Sequence, residues 1–144
     1  MSSDNGGVVA QNGNGLRTDV TANGYSMVVD EPAEFGGTDA GPTPYDHLLA
    51  ALGGCTAMTV RMYAKRKDWP LESVRVLMKH DRIHAKDCET CETESGRLDR
   101  IELELELDGP LEDKQRQRLM EIAEKCPIHR TLNSEVLIKT TSKV

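Results

Sequence analysis

Residues 43–62, TPYDHLLAALGGCTAMTVRM, are the most apolar stretch of the chain and decide its fold. Thr43 suits a helix N-cap, Pro44 suits the first helical position, and Asp46 follows where a capping-box carboxylate stands. No side chain from Leu48 to Val60 is charged, so a helix here is apolar around its whole circumference and has to be covered on every side. The stretch therefore predicts a central helix.

This apolar run is too short to cross a bilayer, which takes about 20 residues. A cluster of cations also crowds its far end, where positive charge suits the helix dipole. The cations are Arg61, Lys65, Arg66 and Lys67. A buried helix is favoured over a membrane span.

The helix carries a thiol directly after two glycines, Gly53 and Gly54. Each glycine costs a helix interior about 1 kcal/mol relative to alanine, so the pair needs a reason. Two interpretations remain open. The glycines admit a neighbouring helix and Cys55 is a small buried hydrophobic residue, or Cys55 is a thiol held in a pocket.

The composition is that of an ordinary globular protein. Of the 144 residues, 38% are hydrophobic and 29% charged, which suits one domain. Aromatic residues make up 3% and the formal net charge is −6, so the chain offers neither stacking platforms nor a basic face for nucleic acid. No basic, apolar leader is found, and the four cysteines do not resemble a secreted disulfide framework. We expect a cytoplasmic protein with reduced thiols.

The segment before the central helix predicts a tail, a hairpin and a loop. Residues 1–15 are rich in Gly, Asn and Ser and predict a mobile tail. The runs Leu16–Val20 and Tyr25–Asp30 flank Asn23-Gly24, which is a strong hairpin signal. Residues 31–42 hold three glycines and two prolines and predict a loop that forms one wall of a pocket.

Two strands and a second helix follow the central helix. Ser73–His84 and Ile101–Leu107 alternate apolar and charged residues, and we expect them to pair. From Glu112 apolar residues recur at helical spacing up to Cys126-Pro127. A turn over 128–134 and a strand over Glu135–Thr140 complete the prediction.

These elements predict an α+β fold in the order β-β-α-β-β-α-β, with a single domain over residues 16–144. A helix that is apolar on every face is hard to cover with so few elements. We therefore expect a homodimer that buries the rest of it.

Three segments resemble the OsmC/Ohr family, the osmotically inducible and organic hydroperoxide resistance proteins of the stress response. They are GPTPYDHLLAALGGCTAM, the hairpin ending in DCETCE, and CPIHRTL, and the resemblance runs from about Leu16 to the C-terminus. It points to the less characterised branch of predicted redox proteins. It implies an intertwined homodimer, with central apolar helices packed against curved antiparallel sheets and a Cys pair at the subunit interface. The implied chemistry is that of a thiol peroxidase without a cofactor.

The resemblance also implies how two thiols divide the reaction. Cys55 attacks a hydroperoxide and becomes a sulfenic acid, and Cys126 then closes a disulfide that an external dithiol reduces. A position for Cys126 at the end of the second helix agrees, since the negative end of a helix dipole disfavours a thiolate. We expect the two thiols to lie within disulfide reach, although seventy residues stand between them.

The charge that activates Cys55 is missing from its expected place. The peroxidases of the family use an Arg from a preceding loop, oriented by a Glu at the start of the helix that bears the Cys. This sequence has no Arg or Lys between Val20 and Val60. The candidates for lining the pocket or activating the thiol are therefore Tyr45, Asp46, Arg17 and Arg130.

A second pair, Cys88 and Cys91, stands in an acidic hairpin loop. Acidic neighbours raise thiol pKa values, which argues against a redox-active C-x-x-C. A zinc half-site made of the two thiols, with or without His84, and a surface loop with free or bridged thiols both remain open, and no complete metal site is predicted. His47, in the first turn of the central helix, either packs or lines the pocket.

Two functions follow from these residues. The first is a thiol-dependent redox enzyme that acts on organic hydroperoxides or a related electrophile, with Cys55 as nucleophile, Cys126 as resolving thiol and a dithiol as reductant. The second is a non-catalytic protein that binds an apolar small molecule in a pocket at the dimer interface. Neither involves nucleic acid or a membrane.

Overall fold

The computed structural model describes residues 7–89 and 91–143, and the chain divides into two compact units, Met1–Ala50 and Ala51–Val144. The first contains a three-stranded antiparallel sheet, and the second contains a two-stranded one. The α+β class with antiparallel sheets is confirmed. A single domain over residues 16–144 stays a prediction.

The first unit is a meander of three strands. Strand β1 (Val8–Asn12) pairs with β2 (Thr18–Ala22), which pairs with β3 (Tyr25–Val29). Asn23 and Gly24 join β2 to β3 with φ of 51° and 85°, in the left-handed region that both residues tolerate. The predicted hairpin is confirmed.

Strand β1 corrects the prediction of a mobile tail over residues 1–15, which is wrong for Val8–Asn12. Val8 and Val9 favour a strand, and the edge of β2 supplies their backbone partners. The sequence pattern missed β1 because all five of its side chains are exposed, so they follow no apolar alternation. Residues 1–6 lie outside the described part of the chain.

A loop in the first unit is organised by one buried carboxylate, Asp30, which is 2% exposed. It accepts hydrogen bonds from the backbone N–H groups of Glu31, Thr38 and Ala40, at 2.8, 3.2 and 3.1 Å. The Thr38 hydroxyl donates a fourth at 2.7 Å, and these donors lower the pKa of Asp30 to about 2. A Cβ on Gly37 would collide with the Glu31 carbonyl, so the loop requires glycine there.

Helix α1 (Pro44–Arg66) confirms the predicted central helix and continues to Arg66. Thr43 and Asp46 form the expected capping box, with N–H to side-chain oxygen distances of 3.1 and 3.2 Å. One face is covered by this chain and the opposite face is not, since Met58 and Met62 are 64% and 69% exposed. Of the helices in the described residues, none is long and apolar enough to cross a membrane. The covered face carries Leu52, Gly53, Thr56, Val60 and Ala64.

Strands β4 (Ser73–His84) and β5 (Arg97–Asp108) form the sheet of the second unit. They pair antiparallel over their whole length, from Ser73 opposite Asp108 to His84 opposite Arg97. The predicted strands and their pairing are confirmed. Helix α2 (Asp113–Ala123) follows, and its buried face joins that of α1 in the core. The core consists of Val60, Ala64, Leu71, Leu119 and Ala123.

The C-terminal part corrects the prediction twice. Residues 127–132 form a short helix, α3 (Pro127–Leu132), where a turn was expected, because Pro127 suits a first helical position and Cys126 caps it. No strand of the described residues includes Glu135–Thr140, although Leu137 and Ile138 are apolar and 84% and 80% exposed. A strand needs a neighbouring backbone, and this segment pairs with none in the described chain. The order is therefore β-β-β-α-β-β-α-α.

Candidate active site

Cys55 lies on the face of α1 that this chain leaves uncovered, in line with Met58 and Met62. Its thiol is free and partly exposed. Its backbone carbonyl accepts a hydrogen bond from the Thr59 hydroxyl, one turn further along, at 2.8 Å. Cys55 is therefore the accessible thiol of the second unit.

The two glycines before Cys55 serve different purposes. A Cβ on Gly53 would lie 2.5 Å from the end of the Met78 side chain, so Gly53 admits a side chain of β4 rather than a neighbouring helix. A Cβ on Gly54 would meet nothing within 4 Å. Only the first glycine is explained by packing within this chain.

Cys126 caps α3 at its N-terminus, which corrects its predicted position at the end of a helix. Helix α2 ends at Ala123, three residues earlier, and the Cys126 sulfur accepts the backbone N–H of His129 at 3.4 Å. The residue is 0% exposed. The predicted dipole effect therefore has the opposite sign, because the N–H groups that begin α3 face the sulfur and favour a thiolate.

The structure brings the two predicted thiols close enough for each to influence the pKa of the other. Burial, followed by the hydrogen bond to Cys126, raises the pKa of Cys55. Burial also acts to raise the pKa of Cys126, but the donors around it outweigh burial and lower that pKa. These donors are the Cys55 thiol, the His129 N–H, the Thr56 hydroxyl and the Ile128 N–H.

Thr56 contributes a hydroxyl that the sequence did not single out. It is 0% exposed, and its oxygen has no partner at ordinary hydrogen-bond geometry in the described chain. It faces Cys126 and helps to lower the pKa of that thiol.

Arg130, the predicted activating residue that shares a unit with the two thiols, is not among the largest influences on either thiol pKa. Arg17 pairs with Asp19 at 3.1 Å, and Asp46 belongs to the capping box of α1. Tyr45 is 54% exposed in the first turn of α1, and Arg130 is exposed on α3. Arg17, Asp46 and Tyr45 belong to the first unit.

Arg61 is the first cation after Cys55 along α1, and it is engaged elsewhere. Its guanidinium donates to the Leu71 carbonyl at 2.6 Å and to the Glu72 carbonyl at 3.0 Å. These contacts hold the end of α1 to the start of β4. The guanidinium is thus used for packing.

The second cysteine pair, Cys88 and Cys91, forms a disulfide, with Cα atoms 5.7 Å apart. The structure thus has the bridged form of the surface loop, and the zinc half-site stays untested. His84 is exposed at the end of β4, and no group of three potential metal ligands occurs among the described residues. The Nε2 of His47 lies 3.1 Å from the Val28 carbonyl, so this histidine packs against the hairpin.

A shallow groove of about 300 Å³ runs beside the thiols. Its apolar wall comes from Met62, Ile122 and Pro127, and its rim carries Arg66 and Lys125. Thr59 also lines it, and the hydroxyl of Thr59 acts on the pKa of Cys55. The groove offers an apolar surface within one helical turn of the accessible thiol.

The family model of OsmC-like proteins matches residues 37–141, which include both thiols and every element from α1 to α3. The chain belongs to the OsmC-like family. The resemblance found in the sequence is confirmed. No curated protein sequence matches the chain at a significant level.

Solved structures of this OsmC-like fold resemble the chain over most of its length. An OsmC-like protein from Mycoplasma pneumoniae has a TM-score of 0.65 and 19% identity, with coverage of 92% of this chain and 89% of that one. An organic hydroperoxide resistance protein OsmC from Legionella pneumophila has a TM-score of 0.64, 19% identity and coverage of 92% and 91%. The organic hydroperoxide resistance protein OhrB of Bacillus subtilis has a TM-score of 0.59, 16% identity and 87% coverage of each chain. At these identities the likeness concerns the fold.

Sequence reasoning missed the donors that surround Cys126 in this OsmC-like protein. The string Cys126-Pro127 held a usable signal, since proline at a first helical position marks a helix start as well as a helix end. Thr56 gave no such signal, because an isolated threonine in an apolar helix looks like any small core residue. Only the fold places it against Cys126.

Proposed function

We propose that this OsmC-like protein is a thiol-dependent redox enzyme that reduces organic hydroperoxides or a related electrophile. The main support for this proposal is the proximity of two free thiols from different helices, the accessible Cys55 and the buried Cys126. The names of the Legionella and Bacillus relatives support the substrate class. The cytoplasmic location stays a prediction.

The reaction proposed for the pair balances without a cofactor. The Cys55 sulfur attacks one oxygen of the hydroperoxide, the O–O bond breaks, and the products are a Cys55 sulfenic acid and an alcohol. The Cys126 sulfur then attacks the oxidised sulfur, and water leaves as the disulfide forms. An external dithiol reduces the disulfide and is itself oxidised.

The test is a turnover measurement with cumene hydroperoxide and a lipoyl-type dithiol, followed by peptide mass spectrometry. We expect loss of peroxide that depends on dithiol, and a disulfide between Cys55 and Cys126 when the dithiol is omitted. The Cys88–Cys91 disulfide serves as an internal reference in the same digest. Absence of both peroxide loss and the new disulfide would contradict the proposal.

A second candidate function is the non-catalytic binding of an apolar small molecule. The observation in its favour is that the pKa of Cys55 is raised, next to an apolar groove. Alkylation of Cys55 across pH separates the candidates, because a binder needs no reactive thiol. Two results together would favour the binding function: slow reaction of Cys55 with every hydroperoxide, and uptake of an apolar fluorescent probe by the groove.

We also propose that the protein is a homodimer in which a second copy covers the apolar face of α1. The face that carries Met58 and Met62 is exposed in one chain, and so are the apolar residues Leu137 and Ile138. Apolar surface of this extent is typical of an interface between copies. Sedimentation at micromolar concentration should give twice the chain mass, and a stable folded monomer would contradict this proposal.

A further inference from the structure

The groove beside Cys55 follows one stripe of helix α1 from the thiol to a cation. Cys55, Thr59, Met62 and Arg66 stand on successive turns of the same face, and the last three line the groove. Eleven residues of helix rise about 16 Å, and helical side chains lean toward the N-terminus. The Arg66 guanidinium accordingly lies over the ring of Tyr63, 5.2 Å from its centroid. It is thus turned back along the groove toward the thiol.

Two more cations lie against the Tyr63 ring, which also lines the groove. The charged groups of Lys67 and Arg118 are 5.7 and 5.4 Å from its centroid. Trp69 packs against the same ring edge on, with centroids 5.5 Å apart. Two packed aromatic rings therefore hold a group of cations at this end of α1. Lys125, which follows α2, adds a cation at the rim of the same groove.

The cations at the rim lack negative partners. Glu121 pairs with Arg118 at 2.9 Å, and Glu124 lines a separate cavity against β5. Within the described part of the chain, neither Arg66 nor Lys125 forms an ion pair. The C-terminus of α1 supplies about half a negative charge, which is less than one cation needs. The rim of the groove therefore carries unbalanced positive charge.

We propose that this groove binds organic anions: its apolar wall takes the body of the molecule, and Arg66 and Lys125 bind its anionic group. The proposal rests on the proposed function and names a substrate class for it. The favoured substrate is a hydroperoxide or related electrophile whose reactive group faces Cys55 while an anionic group at its other end meets the cations.

The size of the groove limits the body of the ligand. A volume of about 300 Å³ is at the lower end of the range for small-molecule sites, which is about 300–1,000 Å³. One ring or a short chain suits it. The wall of Met62, Ile122 and Pro127 offers no partner for a polar body, whereas the planar guanidinium of Arg66 matches a carboxylate.

The groove is compatible with the proposed homodimer. Met62 belongs both to its wall and to the face of α1 that a second copy would cover. The ligand would then lie at the edge of the interface between the copies. Exclusion of water there would strengthen the attraction between the cations and an anion.

The first test measures binding of two unreactive molecules that share one body, 4-isopropylbenzoate and 4-isopropylbenzamide. Trp69, the only tryptophan of the chain, packs against Tyr63 and reports binding by its fluorescence. We expect the anion to bind on the order of 10-fold more tightly than the amide, with a preference that shrinks as salt is added. Equal affinities, or binding of neither molecule, would overturn the inference.

Charge variants locate the preference within the molecule. Arg66→Gln/Lys125→Gln should bind both molecules with the affinity that the wild type shows for the amide. Arg66→Lys keeps the charge and should keep part of the preference. Lys79→Gln/Lys86→Gln removes two exposed cations of the β4 hairpin instead and should behave as the wild type. A preference that survives Arg66→Gln/Lys125→Gln in a folded protein would overturn the inference.

Turnover separates this inference from the proposed function. Cumene hydroperoxide and its 4-carboxylate differ only by the anionic group, so kcat/KM should favour the carboxylate by a factor similar to the binding preference. This factor should vanish in Arg66→Gln/Lys125→Gln, while kcat/KM for cumene hydroperoxide itself is retained. Reduction of neither hydroperoxide, with the binding preference intact, would contradict the redox function and leave an anion-binding groove. Equal kcat/KM values in the wild type would contradict the substrate class.

Discussion

Two buried acids, one in each unit, are held by the same kinds of donor. Asp30 accepts three backbone N–H groups and the Thr38 hydroxyl, and Cys126 is faced by two backbone N–H groups and the Thr56 hydroxyl. Both pKa values are lowered. The difference lies in the remaining donor, because Cys126 is also contacted by Cys55, which is itself an acid. The donors to Asp30 are amides and a hydroxyl, none of which is acidic at neutral pH, whereas Cys126 lies beside a second thiol.

Removal of the Cys55 thiol should have the largest effect on activity. Cys55→Ser keeps a hydrogen-bond donor beside Cys126 but no sulfur at the accessible position. We expect dithiol-dependent hydroperoxide consumption to fall by about 10³-fold or more, as when a nucleophile is removed. A coupled assay of dithiol oxidation measures it. Turnover that survives the substitution would mean that a residue other than Cys55 attacks the hydroperoxide. The contrast between Asp30 and Cys126 would then have no bearing on the reaction.

Neutralising the other acid should change stability instead. Asp30→Asn places an amide N–H₂ among four donors, so we expect a lower unfolding temperature at neutral pH. The pKa of Asp30 is about 2 when folded and 3.8 ordinarily, so its stabilisation is complete above pH 3.8 and is lost as the pH falls towards 2. The gap between wild-type and variant unfolding temperatures should therefore narrow over that range. A gap that stays constant with pH would mean that the carboxylate charge does not stabilise this loop.

Two glycine substitutions, one in the Asp30 loop and one beside Cys55, should have smaller effects. Gly37→Ala drives a Cβ into the Glu31 carbonyl of the Asp30 loop and should cost about 2 kcal/mol of unfolding free energy. Gly54→Ala, beside Cys55, meets nothing within 4 Å and should add about 1 kcal/mol through helix propensity. Urea unfolding measures both. A loss in Gly54→Ala would indicate that a second copy packs closely at this position.

The smallest effect on turnover should come from Cys88 and Cys91, the cysteines outside the comparison. Cys88→Ser/Cys91→Ser opens a loop of only four residues, so we expect at most about 2 kcal/mol of lost stability. Hydroperoxide turnover should be unchanged, since this pair is already oxidised. Thermal unfolding and the coupled assay check the two statements. Lost turnover in this variant would give the hairpin disulfide a part in the reaction.

The fold was predictable wherever periodicity was strong. The alternation in Ile101–Leu107 and the capping signals at Thr43 and Asp46 are local, and the structure follows both. Strand β1 and helix α3 escaped prediction because β1 has no buried face, and because Pro127 marks a helix start and a helix end alike. The segment 135–140 looks like a strand by composition, but pairing depends on another backbone, which local sequence does not contain.

The candidate site, like the fold, could be predicted only in part. The pair Cys55 and Cys126 was found through the family motifs, and their contact follows from the fold. The electrostatic assignment was wrong, because it depended on which end of which helix Cys126 occupies. A difference of a few residues in a helix boundary reverses the sign of a dipole, so such an argument is only as good as the predicted boundary.

The uncovered face of α1 places two thioethers in line with the Cys55 thiol. Met58 and Met62 stand one and two turns beyond Cys55, and both are well exposed in a single chain, whereas a second copy would cover them in the proposed dimer. Oxidant that exceeds the capacity of the thiols converts such methionines to sulfoxides, which are polar and chiral. An apolar face then becomes a polar one, residue by residue. Protein with a long history of peroxide exposure should therefore differ from fresh protein in solubility and self-association, even after every disulfide has been reduced. The sulfoxide content of this one helix records the accumulated dose of peroxide.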